Sequence, residues 1–255
     1  MTLVRTETKS GHSYKLDGKP VSGVTTLLGK GIPKPQLTYW AARTVAEYVA
    51  DNPDAMNDLR AMGREPMIAA LKATPWAARN KAGARGTDVH ALAEAIIHGQ
   101  EVEVPAHLIG YVNGYVTFID DWKIEPILTE RVVGSREWQY AGTFDAIVRI
   151  GAGPLHGQVM LLDWKTSTNV YGETACQLAA YANAEFYLDD DGNEAPMPPV
   201  DGLGVVHVQD GVTELYEVAA PGKAWEQFQN VVIAARTLDE IAKQISTPTT
   251  LEMSA

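Results

Sequence analysis

The chain has 255 residues, 45% of them apolar, and carries 21 Lys and Arg against 32 Asp and Glu, a net charge of −11. That length and apolar content suit one domain with a full core, spanning 1–255, and no apolar run reaches membrane-spanning length. The lone Cys176 excludes an intramolecular disulfide and any cysteine-only zinc or iron–sulfur site within one chain.

The acidity argues against a protein that coats nucleic acid, but it is unevenly spread. Residues 1–100 hold 13 basic against 9 acidic side chains, and residues 101–255 hold 8 against 23. A basic N-terminal region and a bound metal would let such a chain meet phosphates in a narrow cleft. The opening Met1 to Glu7 has no apolar signal region, and with the single cysteine this leads us to expect a cytoplasmic protein.

In chain order, His12 to Leu16 and Lys19 to Val24 predict a hairpin across Asp17-Gly18. Gly29 to Pro35 predicts a breaker-rich loop. Gln36 to Ala50 has helical periodicity and stops at Asn52-Pro53, and Asp54 to Ala73 predicts one or two further helices. Pro75 predicts the start of a long helix through His98, closed by Gly99. Pro105 to Trp122 predicts another, with Leu108, Val112, Tyr115 and Ile119 along one face.

The character changes after residue 122. Ile127 to Val133, Tyr140 to Ile150 and Val159 to Asp163 predict strands, the last two joined across Gly151 to Pro154. On the second, Phe144, Ala146, Val148 and Ile150 form one expected face, and Asp145, Ile147 and Arg149 the other. Glu173 to Leu188 predicts a helix and Asp189 to Asp201, rich in Asp and Pro, a loop. Leu203 to Val208 and Thr213 to Val218 predict a second hairpin across Asp210-Gly211. Lys223 to Ile245 predicts a closing helix, with 246–255 a frayed tail. The expected fold is α/β, a central mixed sheet with helices on both faces in 123–245, behind a mostly helical part, 1–122, with a short hairpin.

Chemistry concentrates at two strand ends. The apolar run from Val159 ends in Asp163-Trp164-Lys165, so Asp163 and Lys165 share a face and Trp164 points away. Upstream stands Gly142-Thr143-Phe144-Asp145. Two carboxylates beside an ammonium suit metal-dependent phosphodiester hydrolysis: hard oxygens hold a divalent cation, and the lysine orients water or offsets developing charge. Alone, Asp-x-Lys is more often a surface ion pair. Two helical pairs at i, i+4 accompany it: His90 with Glu94, and Gln177 with Tyr181.

In this order, Arg85-Gly86-Thr87-x-x-His90, Gly142-x-x-Asp145, Asp163-x-Lys165 and Gln177-x-x-x-Tyr181 resemble the PD-(D/E)XK nuclease superfamily, in its RecB-like exonuclease branch. The resemblance covers about residues 83–187, with a looser likeness of His12 to Trp40 to the start of phage exonucleases. It implies a restriction-endonuclease-like core and a Mg²⁺- or Mn²⁺-dependent DNA exonuclease acting on linear DNA ends. The setting it implies is phage recombination, replication or repair, in the host cytoplasm, with a recombination or single-strand-binding protein as partner.

Carried over, the resemblance makes Asp145, Asp163, His90 and the Trp164 carbonyl metal ligands. Lys165 positions or activates the attacking water, and Gln177 and Tyr181 contact DNA or brace the site. Position alone adds Arg85, Thr87, Thr166 and Ser167 as phosphate donors, and Glu94 and Glu130 as auxiliary acids. Several relatives bind an iron–sulfur cluster through four cysteines; with only Cys176, none is expected here. Alternatives are a structure-specific endonuclease on the same fold, a catalytically idle nuclease fold that binds DNA or a partner, or an unrelated acidic protein with chance motifs.

Overall fold

The structure, a computed structural model, describes residues 2–8 and 11–244. The expected tail at 246–255 lies outside the described residues. The chain begins with a meander of β1 (Leu3–Thr8), β2 (Gly11–Leu16) and β3 (Lys19–Gly23). Its β2–β3 turn is the expected Asp17-Gly18, both with positive φ as such a tight hairpin requires. Helices α1 (Val24–Gly31), α2 (Pro35–Asp51), α3 (Pro53–Ala61) and α4 (Arg64–Ile97) follow. A single 3₁₀ turn leads into α5 (Ile109–Trp122). Then come β4 (Ile124–Ser135), β5 (Tyr140–Ile150), β6 (Val159–Lys165), α6 (Glu173–Ala182), β7 (Phe186–Leu188), β8 (Glu194–Pro196), β9 (Gly202–Gln209), β10 (Val212–Glu217) and α7 (Pro221–Ile241). None of these helices is long and apolar enough to cross a membrane.

The sheet is mixed, α/β in class, and runs β8-β7-β4-β5-β6-β9-β10. Along that run neighbours are antiparallel except β6 and β9, which are parallel and joined by the crossover containing α6; a second parallel pair, β3 with β5, joins the β1–β3 meander to the same sheet. One face packs against α1, α6 and α7 through Leu27, Leu178, Phe228 and Val232. The other packs against α5 and the end of α4 through Val89, Leu108, Tyr115 and Phe118.

One edge of β5 is shared, and this positions everything that follows. Its first residues, Tyr140 and Ala141, pair in parallel with Ser22 and Gly23 of β3. Its later residues, Ala146 to Arg149, pair antiparallel with β6. Between them, Gly142 to Asp145 have no strand beside them on that edge among the described residues. The antiparallel register, Ala146 opposite Leu162, makes Asp145 and Asp163 the next facing pair, where β6 leaves β5 and continues along β9 alone.

Five expectations need correction. Pro75 lies inside α4, not at its start. A proline there frees the Leu71 carbonyl, and the Thr74 hydroxyl donates to that oxygen at 2.8 Å, so the helix continues. The stretch at Gly29–Gly31 is helical, because α1 packs on α7 so closely that a Cβ on Gly31 would lie 2.5 Å from the Val231 carbonyl oxygen. The helix from Glu173 stops at Ala182, and Phe186 to Leu188 pair with β4 and β8 instead. The expected loop from Asp189 holds strand β8, returned by a tight turn in which Asp189 accepts from the backbone of Asp191 and Asn193. Finally, Phe144 packs with Ile147 under α6, not with Ala146 and Val148, so simple alternation fails at the point where β5 changes partners.

Candidate metal centre

Asp145 and Asp163 face each other where the ladder opens, and the chain uses the opening. Asp145 Oδ2 accepts the Trp164 N–H at 2.6 Å, supplying by side chain a bond that β5 no longer offers. His90 Nε2 lies 2.8 Å from the carbonyl oxygen of the same residue, Trp164, and its Nδ1 is 3.6 Å from Asp145 Oδ2. Trp164 turns away as expected, buried edge-on against Tyr115 of α5.

The helix α4 reaches this point because of the residues around His90. Gly86 lies against Thr166, whose hydroxyl would be 3.4 Å from a Cβ there. Arg85 Nη2 donates to the Thr166 carbonyl at 3.3 Å, and its guanidinium covers the Tyr111 ring. Arg85 thus ties three elements together. Thr87 is exposed and donates to Gly83 one turn back. The Ser167 hydroxyl closes a local turn onto Asn169, while His207, buried beside Lys165 in register, contacts the Ser167 carbonyl at 2.7 Å.

Asp163 is buried, with one oxygen toward Lys165 as an ion pair and the other accepting from Gln177 Nε2 at 2.7 Å. Burial pushes its carboxyl up to about 6; Lys165 pulls against that shift and Asp145 adds to it. Burial alone would lower the Lys165 ammonium, but Asp163 and Asp145 outweigh it and hold it above its ordinary value. Gln177 also donates to the Tyr181 hydroxyl at 3.3 Å, and burial beside the two carboxylates keeps that phenol well above its usual range.

Among the described residues, His90, Glu130 and Asp145 offer ligand atoms that all lie within 4.8 Å of one another. Glu130 stands opposite Asp145 on β4 with φ 50, a left-handed conformation that interrupts regular pairing there. Burial, then the charges of Asp145, Glu94 and Asp163, push its carboxyl up to about 8. An imidazole and two half-buried carboxylates that repel one another fit a divalent cation, whose charge would relieve that repulsion. Asp163 stands outside this trio, behind Lys165. Glu94 is exposed and acts on the site through its charge.

Of the residues picked from the sequence, His90, Glu130, Asp145, Asp163, Trp164, Lys165, Gln177 and Tyr181 form one connected set, Arg85 braces it through Thr166, and Thr87, Ser167 and Glu94 make no side-chain hydrogen bond to it. Two participants carried weaker signals. Glu130 reaches the centre only because its backbone adopts φ 50, which no periodicity reveals. Tyr14, which the sequence reading did not single out, arrives from β2 and shares a 3.0 Å hydrogen bond with the Thr143 hydroxyl.

No family model matches the chain, and no curated protein matches it. Among solved structures, a chain described as SSO0001 is similar over 53% of this protein and 62% of its own length, at 17% identity and a TM-score of 0.29. The protein thus spans less than two thirds of that neighbour.

Proposed function

We propose that this protein is a divalent-metal-dependent deoxyribonuclease, an exonuclease on linear DNA with a restriction-endonuclease-like core. The observation that carries the reading is the facing pair Asp145 and Asp163 at the opening between β5 and β6, with Lys165 and His90 converging on it. Structural ion pairs at strand ends do not need a histidine from a helix aimed at the backbone carbonyl between the aspartate and the lysine.

His90, Glu130, Asp145 and the Trp164 carbonyl are the donors for Mg²⁺ or Mn²⁺, the imidazole favouring Mn²⁺. Such an ion supplies charge to a scissile phosphate and lowers the pKa of a coordinated water. The chain's own residues do the rest. Asp163, itself held by Gln177, pairs with the Lys165 ammonium, which offsets negative charge on the phosphoryl oxygens in the transition state. Two carboxylates hold the Lys165 ammonium above its ordinary value, which suits an electrostatic role at the phosphate. Tyr181 fixes Gln177 from behind. The chemistry fits DNA recombination or repair, phage or otherwise, with a single-strand-binding or recombination protein as partner.

The test is digestion of end-labelled linear DNA, single- and double-stranded, in Mg²⁺, Mn²⁺ or EDTA, with Lys165→Ala alongside. Metal-dependent release of mononucleotides or short oligomers, lost in the variant, is the expected result. Cutting of a closed circle would shift the reading to an endonuclease. No cleavage of any DNA in either metal would sink both.

A further inference from the structure

The middle of α4 is a bare rod. Every residue from Trp76 to Ala84 is exposed, so no other part of the described chain covers this stretch on any side. It stays helical without packing because it is rich in alanine, the strongest helix former. On one side the rod meets α2 and α3, and on the other it carries His90 into the metal centre. A helix exposed all round usually bridges two bodies across a gap.

The rod is also cationic in a protein of net charge −11. From Pro66 to Thr87 there are Lys72, Arg79, Lys81 and Arg85 and not one Asp or Glu. Lys72, Trp76, Arg79, Gly83 and His90 recur at helical spacing and so share a face that ends at the metal centre. Trp76 is 62% exposed, and the Arg79 guanidinium lies 5.5 Å from its ring centroid. An indole that finds no core and carries a cation over its ring is a stacking platform for a flat, electron-rich partner.

From this we infer that the Lys72-Trp76-Arg79 face of α4 holds an unpaired nucleic-acid strand and leads it toward His90. The cations take phosphates and the indole takes a base face. A duplex hides those faces between neighbouring pairs, so the platform selects single-stranded substrate. At 1.5 Å per residue, Trp76 stands about 21 Å from His90 along the helix, a distance of several nucleotides. The inference rests on the nuclease reading for the strand's destination, and its binding step can be tested apart from cleavage.

The experiment measures fluorescence anisotropy of a labelled oligo-dT of about twenty nucleotides, and of a blunt hairpin duplex of equal length, against the full chain in EDTA. Trp76→Ala is expected to weaken oligo-dT binding about tenfold, Trp76→Phe to restore most of it, and neither to move hairpin binding by as much as about twofold. Lys72→Ala and Arg79→Ala are expected each to flatten the log–log salt dependence by about 0.7. All three side chains replaced are exposed, so folding is not at stake. Oligo-dT affinity indifferent to Trp76, equal losses on both DNAs, or no binding at all would overturn the inference. So would Trp76→Ala converting a self-associated protein to monomer with DNA affinity unchanged, which would make the face a contact between copies. Failure of the nuclease reading has a different signature: Trp76-dependent binding with no cleavage in Mn²⁺.

Discussion

Tyr181 lies over Gly142 so closely that a Cβ on the glycine would sit 2.4 Å from Cε1 of the phenol ring. Gly142 opens the Gly-x-x-Asp stretch and Tyr181 closes the Gln-x-x-x-Tyr pair, so the two motifs are one packing contact seen from two elements. The tyrosine then holds Gln177, which holds Asp163, which holds Lys165.

Gly142→Ala is therefore expected to act at a distance. Overpacking against a buried ring costs about 1–3 kcal/mol, read as a lower urea midpoint with an unchanged slope. Cleavage should fall further than stability explains, since the displaced ring no longer fixes Gln177. Tyr181→Phe, which keeps the ring and loses the hydroxyl, should retain stability and lose only the Gln177 contact.

Lys165 and Asp163 invite a double-mutant cycle. Lys165→Met leaves a buried carboxylate without its ammonium and should destabilise by roughly 3 kcal/mol. Adding Asp163→Asn should return much of that stability and none of the cleavage. If the double variant were no more stable than Lys165→Met, the pair would not be coupled as the geometry requires.

The metal-free protein should lose stability as pH rises across the neutral range. Glu130 is raised from 4.5 to about 8 and Asp163 from 3.8 to about 6 by burial and neighbouring charge. Both bind a proton more tightly folded than unfolded, so their contribution is fully present below the unfolded values and is lost as pH climbs through the folded ones. Unscreened, shifts of that size amount to about 5 kcal/mol between pH 5 and pH 8, and solvent reaching the half-buried Glu130 lowers this. Melting in EDTA across that range measures it, and Glu130→Gln should flatten the upper part. Mn²⁺ should reverse the trend, raising the melting temperature more at pH 8 than at pH 6, because ionised donors bind it better.

Calorimetry with Mn²⁺ separates the donors. Asp145→Asn keeps an oxygen to accept the Trp164 N–H, so the fold should survive while affinity falls at least about tenfold; Glu130→Gln and His90→Ala should do the same. Glu94→Ala should change little. A loss for Asp163→Asn as large as for Asp145→Asn, with Glu130→Gln neutral, would replace Glu130 by Asp163 in the donor set.

Much of this was legible because the relevant signals are local. The alternation from Val159 to Lys165 puts Asp163 and Lys165 on one side and Trp164 on the other, and the structure has them so. The paired runs of β9 and β10 were legible for the same reason. What escaped depended on distant partners. Gly31 is helical because Val231 leaves room only for a glycine, and Phe186 is a strand because β4 offers it an edge. Pro75 misled because the Thr74 hydroxyl compensates what the proline takes away. Glu130 became central through one left-handed backbone angle.

The shared edge of β5 also sets a timetable. The acidic half of the centre is drawn from near neighbours in sequence: Asp145 reaches Trp164 across 19 residues and Gln177 reaches Asp163 across 14. The imidazole crosses 74 residues to the same strand, and Tyr14 crosses 129 to reach Thr143. Short closures precede long ones during folding. A refolding chain therefore gathers its carboxylates before histidine and the N-terminal meander arrive, and for that interval it carries the site's negative charge without the nitrogen donor that completes it.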